Sequence, residues 1–159
     1  MTAYEVVTPR AVSPLIEGLQ GKRAGYREVY EKLQRDPCGH DVGAYRLSGP
    51  LEPKVCGVHL RRGYRLAFTM QSPEDEGEPP RVVVLYVGKR EPRSRELDVW
   101  TVLHDLFGVE NPPDDHFKPH CCETDVPDIA DAELGAFLKE LRGLRLRPKP
   151  RRKSPRTGK

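Results

Sequence analysis

Val82-Val83-Val84-Leu85 is an uninterrupted apolar run, bounded by Arg81 on one side and Tyr86-Val87-Gly88-Lys89-Arg90 on the other. β-branched side chains favour extended backbone. A strand with no polar face must be covered on both sides, so this one is expected at the centre of a sheet. Upstream, Gly63-Tyr64-Arg65-Leu66-Ala67-Phe68-Thr69-Met70 reads as its neighbour, joined to it by the acidic stretch Ser72 to Pro80. Each of the two strands carries a cation where it can leave the sheet: Arg65 within the first, Lys89-Arg90 at the end of the second. A concave sheet that gathers guanidinium and ammonium groups is suited to phosphate, because arginine forks onto phosphate oxygens with two parallel hydrogen bonds.

The remaining elements follow from periodicity and punctuation. Ala3 to Thr8 is a short strand, ended by Pro9. Ala11 to Leu19 and Lys22 to Arg35 read as helices separated by Gly21. The second has Tyr26, Val29, Tyr30 and Leu33 spaced i, i+3, i+4, i+7. Pro14 is tolerated only because it falls in a first turn. Strands are expected at Ala44 to Leu47, Val55 to Leu60, Tyr64 to Gln71 and Arg81 to Val87. Arg61-Arg62-Gly63 closes a hairpin between the second and third of these. Asp98 is the expected N-cap of a helix to Phe107 with Val99, Val102, Leu103 and Leu106 on one face. A Pro-rich loop then leads to a last helix, Asp131 to Leu144, with Leu134, Phe137, Leu138 and Leu141 at helical spacing.

Charge divides the chain. Of its 27 Lys and Arg, eight lie between Arg145 and Lys159 with no acid among them; the rest of the chain then has 19 basic against 24 acidic side chains. The tail is expected to be disordered, either a salt-sensitive nucleic-acid contact or a solubilising end. Residues 1–108 are expected to form the compact domain, 109–144 an extension with a loop and a helix, and 145–159 the tail. No apolar run approaches the roughly 20 residues that span a bilayer, and the first residues lack the pattern of a secretion signal. The expected location is therefore cytoplasmic, with Cys38, Cys56, Cys121 and Cys122 as reduced thiols. His116, His120, Cys121 and Cys122, with Cys38 and His40 upstream, contain zinc-type ligand atoms, but their spacing matches no finger or ribbon. A metal-free loop is the expectation.

The fold class is α+β, an antiparallel sheet of about four to five strands with two N-terminal helices packed on one face and a C-terminal helix. At this point particular residues resemble a family. Tyr4-Glu5-Val6-Val7-Thr8-Pro9-Arg10-Ala11, Tyr45-Arg46-Leu47-Ser48-Gly49, Gly63-Tyr64-Arg65-Leu66, Val87-Gly88-Lys89-Arg90 and Asp98-Val99-Trp100 resemble, in order, segments of the RelE/ParE superfamily of type II toxin–antitoxin toxins. The resemblance covers roughly residues 3 to 107.

The resemblance implies a toxin with a cognate antitoxin protein as partner. RelE-like members are endoribonucleases (mRNA interferases) that stop translation by cleaving mRNA, on the ribosome or free; ParE-like members poison gyrase. The cleavage needs no metal or other cofactor. A base takes the 2′-hydroxyl proton, the oxygen attacks the adjacent phosphate, and cations hold the extra charge. By the resemblance Arg65 binds phosphate, Arg90 carries transition-state charge and leaving-group protonation, and Lys89 assists. Two departures bear on activity. The family's two lysines before the hairpin fall on Gly57 and His59 here. His59 is thus either the base or a polar strand residue, with Lys54 as a substitute cation. Trp100 stands where a tyrosine is usual; it either stacks on a base or anchors its helix in the core. Arg61 and Arg62, at the hairpin tip, either grip RNA backbone or form a solvated turn. A ParE-like gyrase inhibitor, or a toxin-fold protein that only binds, is the alternative.

Overall fold

The computed structural model describes residues 3–19, 25–91, 93–112, 119–123 and 126–146. The basic tail beyond 146, His116 and the first residues expected in the second helix lie outside them. Five strands are present: β1 (Glu5–Val7), β2 (Tyr45–Arg46), β3 (Cys56–His59), β4 (Tyr64–Gln71) and β5 (Arg81–Lys89). They form one sheet in the order β1-β5-β4-β3-β2. The helices are α1 (Ser13–Glu17), α2 (Tyr26–Arg35), α3 (Val99–Leu106) and α4 (Asp131–Leu146). The class is α+β, as expected.

β5 lies inside the sheet, between β1 and β4, and Val82 to Leu85 are all buried. That is the position an all-apolar run demands. The sheet is mixed rather than purely antiparallel, which corrects the expectation. β2 to β5 pair antiparallel, but β1 pairs parallel with β5, with Glu5 opposite Arg81 and Val7 opposite Val83. β1 feeds helices instead of a hairpin, so no tight turn dictates its direction. Opposite the step from Ala67 to Phe68 the register shifts and Leu85 is left over, a bulge that bends β5.

The helices cover the sheet. α2 turns Val29 and Leu33 inward. α4 buries Phe137 and Leu141, and Phe137 stacks on Phe107 with ring centroids 4.4 Å apart. Asp98 does cap α3, accepting from the Trp100 amide. Burying Phe68, Leu66, Leu85, Leu33 and Leu103 completely contributes about 1.5–3 kcal/mol each in transfer energy. Among the described residues no helix is long and apolar enough to cross a membrane.

The segment after the Pro-rich loop is sewn to the sheet. Pro119 accepts from the Arg46 amide and the Cys121 amide donates to Ala44, so residues 119–121 run antiparallel along the outer edge of β2. Two disulfides follow at once: Cys56–Cys121 and Cys38–Cys122, with Cα separations of 5.8 and 5.6 Å. The expectation of reduced thiols is overturned. Partners 65 and 84 residues apart in sequence meet only because the strand order brings them together. The pairing also takes all four thiols out of the ligand set considered for zinc.

Candidate functional site

Register decides which side chains share a face. His59 on β3 is opposite Arg65 on β4, and Arg65 is opposite Gly88 on β5. Directly paired residues project from the same side of a sheet, so His59 and Arg65 are neighbours across one strand spacing. Gly57, opposite Ala67 and Tyr45, continues that face. His59 is exposed and Arg65 half-buried, its Nη1 donating to the Tyr64 carbonyl at 2.9 Å.

α3 lies on the same face. A Cβ at Gly57 would stand 2.8 Å from the Trp100 ring and 3.1 Å from that of Tyr45; one at Gly88 would stand 3.0 Å from both Tyr86 and Val99. These glycines let the helix approach the sheet. Trp100 is buried, and its ring meets Tyr45 edge-on at 6.3 Å, while Tyr45 meets His59 edge-on at 5.4 Å. Tyr86, half-buried on this face, has its phenol pushed above the ordinary value by burial.

Arg90 follows β5 directly and its amide donates to Gly63 at the hairpin turn. Its Nη1 donates to Asp98 at 2.7 Å. Asp98 also accepts from the Glu91 amide at 2.7 Å and from the Trp100 amide at 3.3 Å. One buried carboxylate therefore caps α3, fixes the chain after β5 and holds the Arg90 guanidinium, whose side chain is 28% exposed against 6% for its partner.

The structure thus gathers His59, Arg65, Arg90 and Trp100 on one side of the sheet. Lys54 goes elsewhere, pairing with Glu133 of α4 at 2.7 Å. Arg61 pairs with Glu28 of α2. Arg62 is exposed at the turn and, among the described residues, is the only non-glycine in the left-handed region, at φ 60°. Lys89 pairs with Tyr64, one residue out of phase with Arg65, and so projects from the opposite face. Among the described residues no group of three His, Cys, Asp or Glu is placed to hold a metal ion.

Three contributors were not read as site residues. Asp98 was legible as a helix cap, but not its reach back to Arg90. Tyr45 was legible as a strand residue only. His120 was weighed only as a zinc-type ligand in a loop, yet it reaches β2 as the bridge partner of Tyr45. A groove of about 560 Å³ opens beside His59, lined by Val42, Gly43, Ala44, Tyr45, His59 and His120. Comparison with family models, curated proteins and solved structures gave no match to this chain.

Proposed function

We propose that this chain is the toxin of a type II toxin–antitoxin pair, of RelE type, and that it cleaves RNA without a metal. The observation that carries the reading is the cross-strand pairing of His59 with Arg65. It sets an imidazole, able to accept a proton near neutral pH, beside a cation suited to phosphate. The motifs around Arg65 and Arg90 add support.

His59 takes the proton from a ribose 2′-hydroxyl. The 2′-oxygen attacks the adjacent phosphorus, the bond to the 5′-oxygen breaks, and that oxygen takes a proton from water as it leaves, while His59 gives up its own proton to solvent. The products are a 2′,3′-cyclic phosphate and a 5′-hydroxyl. Arg65 holds the phosphate and meets the charge that grows on its oxygens. Arg90 adds positive charge at the rim, part-neutralised by Asp98. mRNA is the substrate, on the ribosome or free, and a small antitoxin protein is the natural check.

The Arg90–Asp98 pair and the burial of Trp100 favour a second reading, a gyrase inhibitor or a binding module on the same scaffold. The test is expression of the full chain without an antitoxin, with purified chain incubated with mRNA. Cleavage ending in cyclic phosphates, lowered at least a hundredfold by Arg65→Ala with unchanged folding, is the expected result. DNA damage with filamentation and intact mRNA supports gyrase; intact mRNA, or cleavage undiminished in Arg65→Ala, overturns the nuclease reading.

A further inference from the structure

We propose that the groove bounded by Tyr45, His59 and His120 receives the unpaired RNA base next to the phosphate at Arg65, and that it is complete only when both disulfides are formed. The proposal rests on the RNA-directed reading above and adds a base subsite and its redox dependence.

The groove begins where the phosphate position ends. His59 belongs to both: it pairs with Arg65 across the strands and lines the groove on its other side. From β4 through β3 to β2 is two strand spacings, about 10 Å, the scale of a single nucleotide lying across the sheet. Tyr45, His59 and His120 supply aromatic surface, and every base has a π-face that such surface accepts. At the mouth, Gly43 has open space where a side chain would stand.

His120 adds a polar demand. Its Nδ1 accepts from the Cys122 amide at 3.2 Å, so the neutral ring carries its proton on Nε2. That Nε2 is buried and, among the described residues, has no hydrogen-bond partner. A base offers carbonyl oxygens and ring nitrogens that would satisfy it after a small movement of the ring. The opposite side of His120 is backed by His40, with ring centroids 5.7 Å apart.

This wall is not part of the continuous sheet. Residues 119–121 are held on β2 by two backbone bonds, and the covalent anchors come immediately after His120, at Cys121 and Cys122. Reduction removes both anchors and leaves His120 with a two-bond attachment. The groove then loses one wall, whereas His59 and Arg65, on paired strands, stay in place.

The test uses the oxidised full chain, titrated calorimetrically with adenosine, guanosine, cytidine and uridine 5′-monophosphates, and with ribose 5-phosphate as a probe lacking the base. Histidine carbon–proton NMR signals report the location. At least one nucleotide is expected to bind about tenfold more tightly than ribose 5-phosphate and to shift the His59 and His120 signals together. His120→Leu, Gly43→Asn (asparagine tolerates the left-handed backbone at Gly43) and reduction of the wild type should each bring nucleotide affinity down to the ribose 5-phosphate level. Equal binding of nucleotides and ribose 5-phosphate overturns the proposal, as does nucleotide affinity insensitive to His120→Leu and Gly43→Asn in folded variants or to reduction. The two readings fail separately. RNA cleavage unaffected by these variants removes the subsite and leaves the nuclease; base-dependent binding without cleavage removes the nuclease and leaves the subsite.

Discussion

Among the described residues Asp98 has three donors on one carboxylate: the Arg90 guanidinium and the amides of Glu91 and Trp100. Removing it takes away a helix cap and leaves a half-buried guanidinium without its acceptor. Asp98→Ala should cost about 2–3 kcal/mol in urea titration, and Asp98→Asn, which keeps an acceptor oxygen, clearly less. Arg46 is the opposite case. It is buried on β2, its Nη1 donates to the Glu52 carbonyl at 3.0 Å, and among the described residues its Nε and Nη2 have no partner. A buried cation that lacks a counter-charge weakens the fold. Arg46→Met is therefore expected to raise unfolding stability by roughly 1–2 kcal/mol, read as a higher urea midpoint with an unchanged slope.

At the scale of elements, the approach of α3 to the sheet depends on what Gly57 and Gly88 lack. Gly57→Ala places a methyl 2.8 Å from the Trp100 ring, a distance that forces the helix or the ring to move. The expected cost is about 1–3 kcal/mol. Trp100→Phe in the same chain should recover part of it, so that the double variant is less destabilised than the sum of the two single ones; additive losses would mean that the ring does not press on this strand. The helix and hairpin signals that placed α3 were local: a cap residue, an apolar stripe at helical spacing and a glycine after it. The close packing that makes Gly57 necessary was not, because Trp100 lies 43 positions further along the sequence.

Two features belong to the molecule as a whole. The disulfides join the turn after α2 and strand β3, next to the sheet edge, to one short segment, closing long loops. Reducing them should lower stability by about 2–5 kcal/mol, with amide exchange at residues 119–123 rising before that of β4 and β5. Equal protection before and after reduction would contradict this. Alkaline pH acts on buried tyrosines. Burial raises the Tyr86 phenol, and burial, opposed by a Thr8 hydrogen bond and helped by Tyr30, raises that of Tyr26. The folded state then holds these protons more tightly than the unfolded chain, whose tyrosines titrate near about 10. Their contribution is present in full below that value and is lost as pH rises through the folded pKa. Tyr86→Phe should make the alkaline fall in stability shallower, measured by urea midpoints across that range.

Sequence by itself determined the elements that rest on neighbouring residues. The run Val82 to Leu85 required an interior strand, the Tyr26–Leu33 spacing a helix, Asp98 a cap, and the hairpin at Arg61 to Gly63 the adjacency of β3 and β4. The pairing of His59 with Arg65 needed the register itself, which the hairpin signal did not supply. Tertiary structure alone decided the parallel seat of β1, the pairing of four cysteines, the divergence of Lys54, Arg61 and Lys89 to other surfaces, and the arrival of His120 beside Tyr45. Each of these depends on distances between segments far apart in the chain. Local propensity carries no record of such distances; they are set when the whole sheet and its helices pack at once.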